Sequence, residues 1–540
     1  MWTARRTACL IFAVLAYLFL RGIGDHGLID PIEGINASIA LNMAGGGSLA
    51  RPMLASRLLA SPGAGDLLYP GKAMGYWWLS AGALWLFRGF EFPVRFWPML
   101  GGLGMAAAAW FTTRRISGAR GANYAAILTG SCLLTYTVSQ IASPHSLYAC
   151  LISAALAGAI HAFRDKRFFL LLHAAAVLAF VAYGPAGIIL PWLSLLTYAI
   201  LMGRGRFFLE AFLYWPGLLA TFLPTVGYLS FLHAKNPGVL SLMVYNPPAP
   251  AFGSLSSSFL VLAAGFFPWM GFLPHAVKNA LPRRFFFPVS PVPHSPLLFL
   301  LIWAAVFLIF GFFSRDAFLL AASAPALASL CAVHLTDAVE RNDVSLFQRM
   351  IALKILLSVP LIFFGLPLAY LSSPETMQSM SMTVLPWALF SLFLLFAGWR
   401  CAKQRKPRKL MFQLCLLALV CLLPLGGSFD LLAERLSVRD AGLWLRRMLK
   451  PGDVLIQYMM SRPSLYYYAG RDSELIDAPV IPGVPQRESR REFFLYQAWI
   501  GGRRVFMLIG RDREFLTPLP GEVHSPCETR HFIVVSNRED

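Results

Sequence analysis

Charged residues are scarce in this sequence, and this scarcity decides its class. Only 14% of the 540 residues are charged and 57% are hydrophobic, whereas a soluble domain has about 25% charged and about 45–50% apolar residues. The 43 phenylalanines are spread along most of the chain, so no single apolar tail accounts for the excess. These figures exclude disordered, collagen-like and small disulfide-rich proteins, and they predict a polytopic membrane protein.

Acidic residues are the scarcer charged type: 27 Asp and Glu stand against 46 Lys and Arg, a net charge of +19. The basic residues form no stripe interleaved with aromatic side chains, which binding of single-stranded nucleic acid would require. They lie in short clusters between apolar runs, such as Arg5-Arg6, Arg114-Arg115, Arg164 to Arg167, Arg283-Arg284 and Arg400 to Lys409. Such clusters are typical of cytoplasmic loops. The charge therefore predicts membrane topology and argues against a nucleic-acid partner.

Cysteine pairs are also lacking. None of the eight cysteines belongs to a Cys-x-x-Cys pair, and most lie inside apolar runs, where a thiol behaves as a small hydrophobic side chain. The sequence therefore predicts neither a disulfide framework nor a zinc site. No ligand set for another metal is visible, so no cofactor is predicted and a divalent metal is left open.

Long apolar runs are abundant, and a transmembrane helix needs about 20 mostly apolar residues. By this criterion we predict an all-α polytopic membrane protein with about 13 transmembrane helices. The predicted spans are 7–23, 94–112, 121–140, 146–163, 167–183, 185–202, 208–232, 256–275, 296–313, 316–334, 347–371, 383–399 and 409–427.

The orientation of these spans follows from the basic clusters. Arg5-Arg6 precedes the first span and no small-residue cleavage site follows it, which predicts an uncleaved anchor. A cytoplasmic N-terminus then places every basic cluster on the cytoplasmic side and the C-terminus outside. The apolar segment 75–87 is too short for a span, and its Tyr76-Trp77-Trp78 start is typical of a helix lying at the membrane interface.

Two long polar regions lie outside the predicted membrane domain of residues 1–427. The first outside loop, 24–93, contains several acids and a lysine, and the tail, 428–540, is predicted to be a small α/β domain. The tail has amphipathic helical spacing over 436–449 and strand patterns at 454–458, 505–509 and 532–535. A shorter outside loop is predicted at 233–255.

Four stretches carry a family resemblance. They are LIDPIEGINA at 28–37, LYPGKAMGYW at 68–77, LFRGFEFPVR at 86–95 and GFFPWMGFLP at 265–274. In this order they resemble the GT-C superfamily of glycosyltransferases that use lipid-linked sugars. The branch they are most similar to includes the aminoarabinose (lipid A) transferase and protein O-mannosyltransferase-like proteins. The layout of apolar segments followed by an outside domain also looks like this family.

The resemblance implies roles for several residues. Glu33 and Asp30 match acidic positions of the family's first-loop motif and would be the catalytic carboxylates, one of them a general base for the acceptor hydroxyl. Lys72 matches the lysine of the family's E-K-P motif and would neutralise the phosphate of the donor. Possible substrate-binding residues are His145, Tyr76 and Arg57.

The sequence departs from the family pattern at several charged positions. Ile32, Gly71 and Ala73 stand where the pattern has Asp, Glu and Pro. The 143–146 stretch, which includes His145, replaces a segment that often holds an acid, and Tyr183 replaces a lysine. Either Asp30, Glu33 and His145 act in changed roles or the family's chemistry has been lost or altered.

The resemblance implies an integral membrane glycosyltransferase. It would move a sugar from a polyprenyl-phosphate donor to a lipid, glycan or protein acceptor on the periplasmic side. The chain would lie in the inner membrane among membrane lipids, with a cytoplasmic N-terminus and a periplasmic C-terminal domain. Two alternatives stay open: a transporter or flippase of a lipid-linked substrate, and a catalytically silent GT-C homologue with a scaffold role.

Overall fold

A computed structural model describes residues 2–52, 74–235, 261–281, 295–343, 406–476, 499–511 and 522–538, apart from single gaps at 88, 263, 315, 421 and 424 and with a few isolated residues elsewhere. The N-terminal helices are α1 Trp2–Leu20, α2 Ile32–Ala44, α3 Met74–Leu86, α4 Glu91–Gly130, α5 Leu133–Gln140, α6 His145–Ala162, α7 Phe169–Tyr183 and α8 Ala186–Leu201. The next are α9 Gly205–Phe212, α10 Trp215–Lys235, α11 Leu273–Ala280, α12 Pro296–Phe313, α13 Ala324–Glu340, α14 Pro407–Val420 and α15 Leu425–Leu436.

The helices are long and apolar because the sequence supplies unbroken apolar runs between helix-ending signals. Pro144 precedes α6, and Gly184, with a φ of 110°, ends α7 before Pro185 opens α8. Within the described ranges, five helical segments are long and apolar enough to cross a membrane: His145–Ala162, Lys166–Tyr183, Trp215–Lys235, Pro296–Phe313 and Ala317–Glu340. The chain is therefore a membrane protein, but the predicted count of about 13 spans is not confirmed.

Some predicted spans differ from the observed helices. The spans 94–112 and 121–140 lie in α4 on either side of Gly118, whose backbone is non-helical (φ 73°), and the end of the second span forms the separate short helix α5. The span 208–232 is divided between α9 and α10. Hydropathy measures apolar length and does not register where a helix bends or restarts. The span 347–371 lies outside the described residues, as does 383–399 apart from isolated positions.

The bundle core lies among α4, α6, α7, α12 and α13, which bring many small side chains together. Gly158 of α6 shows how close the backbones are: a Cβ there would lie 2.7 Å from the amide nitrogen of Leu172 in α7. Small residues at such positions let membrane helices approach closely.

The tail forms the small α/β unit that the sequence predicts. It contains α16 Arg439–Met448 and α17 Ser464–Ala469, with strands β1 Val454–Tyr458, β2 Glu474–Ile476, β3 Val505–Gly510, β4 His524–Glu528 and β5 Phe532–Ser536. The sheet order is β2-β1-β3-β5-β4, with β1 parallel to β2 and β3 and with β5 antiparallel to β3 and β4. The predicted domain boundary at 427/428 falls inside α15.

The close approach of α6 and α7 gives a first prediction. Gly158→Ala places a methyl group against the backbone of α7, and overpacking of this kind costs about 1–3 kcal/mol. We expect a lower midpoint of thermal unfolding in detergent. Gly82→Ala in α3 is the control, because a Cβ there meets no atom within 4 Å. An equal response of the two variants would contradict the close contact.

Candidate active site

A buried ion pair joins the first loop to the bundle. Glu33, in the first turn of α2, and Arg95, in α4, are both completely buried, and Nη2 of Arg95 lies 2.6 Å from Oε2 of Glu33. The pair is bidentate, since Nε of Arg95 donates to Oε1 at 2.8 Å. The backbone N–H groups of Ile29 and Ala142 donate to the two remaining acceptor positions of Glu33 at 2.8 and 2.6 Å.

The guanidinium of Arg95 uses its remaining donors on the loop before α2. Its Nη1 donates to the carbonyl oxygens of Ile23 and His26, and its Nη2 donates to that of Gly27. Burial opposes ionisation of Glu33, but Arg95 and the backbone donors outweigh it and hold the pKa of Glu33 below its usual range. Glu33 is thus a fully bonded carboxylate, which favours a supporting role over the predicted role of general base.

The second predicted carboxylate, Asp30, contacts the C-terminal domain. The N–H of Ser464, at the start of α17, donates to Oδ1 of Asp30 at 3.0 Å, and the Ser464 hydroxyl bonds Oδ2. Asp30 is only 3% exposed, and burial raises its pKa to about 7 against the opposing effect of Ser464. Asp30 can therefore change its protonation state near neutral pH.

Further contacts fasten the C-terminal domain to the loop and to the start of α4. The Tyr468 hydroxyl accepts from the N–H of Leu28 at 2.8 Å and donates to Oε1 of Glu91 at 3.0 Å. Arg439 also pairs with Glu91 at 3.1 Å. Burial raises the pKa of Glu91. The first loop is thus held between the bundle and the domain.

A second polar cluster consists of His145, Tyr183 and Asp316, which we call the His145 cluster. Nε2 of His145 lies 2.8 Å from Oδ2 of Asp316, and the Tyr183 hydroxyl donates to the same oxygen at 2.9 Å. The N–H of Phe318 donates to Oδ1 of Asp316 at 3.2 Å, where the carboxylate caps a short 3-10 helix. The cluster joins the start of α6, the end of α7 and the segment before α13.

The His145 cluster and the first loop meet at the turn before α6. Oε1 of Glu33 accepts from Ala142, and the Asn36 amide donates to the carbonyl oxygen of Ala142 at 3.1 Å. Asn36 in turn accepts from the indole N–H of Trp77 at 2.8 Å. The structure therefore brings the neighbourhoods of Glu33 and His145 together.

The other predicted residues are placed differently or not described. Tyr76 is completely buried, and its hydroxyl donates to the carbonyl oxygen of Val94 at 3.1 Å. Lys72 and Arg57 lie outside the described residues. In the part of the chain that the structure describes, no group of three or more His, Cys, Asp or Glu side chains could hold a metal ion.

Sequence reasoning missed three partners: Arg95, Asp316 and Ser464. Arg95 ends the 86–95 stretch that carries the resemblance, and a basic residue inside an apolar helix is a signal for a buried acidic partner. Asp316 lies directly before an apolar helix, where an acidic residue is normally interpreted as a helix cap. Nothing in the pattern around Ser464 points to Asp30, which is 434 residues away.

Solved structures confirm the predicted resemblance to GT-C glycosyltransferases at the level of the fold. The aminoarabinose transferase ArnT from Cupriavidus metallidurans, bound to undecaprenyl phosphate, superposes with a TM-score of 0.78 at 18% identity over 98% of each chain. Its apo state gives 0.80 at 18% identity over 99% of this chain and 98% of that one.

A more distant likeness extends to the Archaeoglobus fulgidus oligosaccharyltransferase tethered with an acceptor peptide. It has a TM-score of 0.51 at 14% identity and covers 94% of this chain and 69% of that one. Both neighbours are GT-C glycosyltransferases. No family model and no curated protein matches the sequence. At these identities the likeness establishes the fold.

The buried ion pair gives a second prediction. Glu33→Gln leaves the Arg95 charge buried without its carboxylate, a loss that costs about 3–5 kcal/mol. We expect a large fall in the yield of folded protein and in the thermal midpoint. The double variant Glu33→Gln/Arg95→Gln recovers part of the lost stability, since no charge is then left buried.

The control for this prediction is an exposed pair. Arg120 and Glu340 lie 3.2 Å apart with 47% and 56% of their side chains exposed, so Glu340→Gln costs less than about 1 kcal/mol. Equal destabilisation by Glu33→Gln and Glu340→Gln would contradict the role assigned to the buried pair.

The contact between Asp30 and Ser464 gives a third prediction. A carboxyl whose pKa is raised on folding contributes stability that is complete below its ordinary value of 3.8 and is lost as the pH rises through about 7. Asp30→Asn keeps a donor and an acceptor for Ser464 without titrating. We expect the thermal midpoint of the variant to exceed that of wild type by more at pH 8.5 than at pH 5, because the loss in wild type is complete only above about pH 7. The exposed Asp25→Asn is the control, and a pH-independent difference for Asp30→Asn would contradict this account.

Proposed function

We propose that this chain is an integral membrane glycosyltransferase that moves a sugar from a polyprenyl-phosphate donor to an acceptor. The observation that carries the proposal is the fold match over 98% of both chains to a transferase whose structure holds undecaprenyl phosphate. A polyprenyl phosphate has a long apolar chain and an anionic head. A bundle of apolar helices with polar clusters at helix ends suits such a substrate.

We place the reaction on the outer side of the inner membrane, with the N-terminus cytoplasmic and the C-terminal domain periplasmic. The topology predicted from the basic clusters puts the start of α6, the end of α7 and the segment before α13 on this side. These are the elements that carry the His145 cluster. The first loop and the C-terminal domain belong to the same side in this topology. The acceptor is a lipid, a glycan or a protein.

In this proposal Lys72 contacts the donor phosphate. A positive charge near the phosphodiester stabilises the negative charge that develops on the leaving group. Glu33 and Asp30 hold the segment before α2 and the start of that helix: Glu33 binds Arg95 of α4, and Asp30 binds Ser464 of the C-terminal domain. A catalytic role for either carboxylate is the competing assignment, and the Asp30→Asn variant tests it for Asp30.

A catalytically silent homologue is the second candidate. The replacements Ile32, Gly71 and Ala73 in the first loop favour it, and so does the complete occupation of Glu33 by protein donors. A scaffold of this kind would retain the fold and its partners without transferring sugar. A transporter of lipid-linked sugars would move label across the membrane and leave the donor intact.

The fourth prediction is a transfer assay. Membranes containing wild type, Lys72→Ala or Lys235→Ala are incubated with a set of radiolabelled polyprenyl-phosphate sugars. We expect wild type to move label into a lipid, glycan or protein fraction. We expect the transfer rate of Lys72→Ala to be about 100-fold lower, which is the usual effect of removing one charge-stabilising group. Lys235, at the end of α10, is the matched control for the loss of one positive charge.

Each other outcome points to a different function. Transport of intact donor without transfer would identify a flippase. Neither transfer nor transport by wild type with any donor would favour the silent homologue. Equal transfer by Lys72→Ala and wild type would refute the contact between Lys72 and the donor phosphate while leaving the transferase in place.

A further inference from the structure

The His145 cluster has the geometry of an oriented histidine base. Nε2 of His145 lies 2.8 Å from the carboxylate of Asp316, so this nitrogen carries a proton and donates it when the ring is neutral. The other ring nitrogen, Nδ1, is then the acceptor, and it lies 3.2 Å from the hydroxyl of Ser143. A carboxylate on one ring nitrogen and a hydroxyl on the other is the arrangement by which a histidine removes a hydroxyl proton.

Asp316 is held so that it fixes the imidazole ring. Its Oδ2 accepts from both His145 and Tyr183, and its Oδ1 accepts from the N–H of Phe318. The rings of Tyr183 and Phe318 flank His145 at 5.4 and 5.5 Å. The cluster is partly accessible to solvent, because 11% of the His145 side chain and 22% of the Asp316 side chain are exposed.

The first-loop carboxylates are less suited to receive a proton. Each oxygen of Glu33 already accepts two hydrogen bonds from the protein, and its side chain is fully buried. Both oxygens of Asp30 are bonded to Ser464, which belongs to the covering domain. Within the described residues, Nδ1 of His145 has by contrast one hydrogen-bond partner, the hydroxyl of Ser143 in its own turn.

We propose that His145 is the general base of the transfer reaction and that Asp316 is its positioning residue, an inference that rests on the proposed function. The acceptor hydroxyl takes the place of the Ser143 hydroxyl at Nδ1. Its O–H bond breaks and the proton passes to Nδ1, while its oxygen bonds to the anomeric carbon of the donor sugar. The bond from that carbon to the phosphate oxygen breaks, and its electron pair leaves with the polyprenyl phosphate. His145 then releases the proton to water.

The fifth prediction compares purified full-length variants in the transfer assay with the donor that wild type uses. Loss of a general base lowers rates by about 100- to 10,000-fold. We therefore expect the kcat of His145→Ala to be lower than that of wild type by a factor in this range. Added imidazole restores part of this activity, because a free base can enter the space left by the side chain. Asp316→Asn lowers kcat by about tenfold or more and leaves the KM for the donor within about threefold.

One control variant and one variant of the competing residue keep the test specific. His161→Ala removes the histidine at the other end of α6, which bonds the carbonyl oxygen of Phe111, and it retains wild-type kcat. Asp30→Asn tests the competing assignment, in which Asp30 is the base. Loss of transfer by Asp30→Asn with normal thermal stability would instead assign the base to Asp30 and overturn the proposal.

The remaining outcomes separate the inference from the proposed function. Transfer by wild type together with full activity of His145→Ala would overturn the inference and leave the transferase in place. Loss of activity in His145→Ala without any imidazole rescue, in protein that unfolds at the wild-type temperature, would assign His145 to substrate binding and also overturn it. Absence of transfer by wild type would overturn both.

Discussion

The arrangement of this molecule depends on one buried ion pair, that between Glu33 and Arg95. Neither side chain is exposed, and all five N–H groups of the guanidinium have acceptors. Because a buried charge without a partner is costly, the loop before α2, the start of α2 and the start of α4 are fixed together. The same carboxylate holds the N–H of Ala142, so the pair also sets the turn from which α6 and His145 begin.

The C-terminal domain adds a second layer of contacts to the loop that this pair fixes. Ser464 and Tyr468 lie on one short helix and bond Asp30 and Glu91, which belong to the two ends of the first-loop region. Gly34 leaves the space for this approach, since a Cβ there would lie 2.6 Å from the amide nitrogen of Ser464. The domain thus covers the loop through polar contacts that are themselves buried, and its docking is sensitive to the charge on Asp30.

The sequence predicted well the helices and strands that depend on local pattern, and it predicted poorly the contacts between residues that are distant in the chain. The helices α6 and α12 and the strand β1 match their predicted ranges closely, because apolar length and flanking Pro or polar residues are local signals. Glu33 was found from its motif, but its partner is 62 residues away, and Asp316 is 171 residues from His145. Contacts over such separations are set by helix packing, which one sequence does not encode as a pattern.

Two of the departures from the GT-C pattern are physically connected in the structure. His145 stands in a stretch where the pattern often has an acid, and Tyr183 stands where it often has a lysine; both now place a hydrogen-bond donor on the same oxygen of Asp316. An acid and a lysine could have satisfied one another, whereas an imidazole N–H and a phenol both require an acceptor. Asp316 supplies that acceptor and keeps one carboxylate in the cluster. These two replacements and Asp316 therefore form one hydrogen-bonded unit.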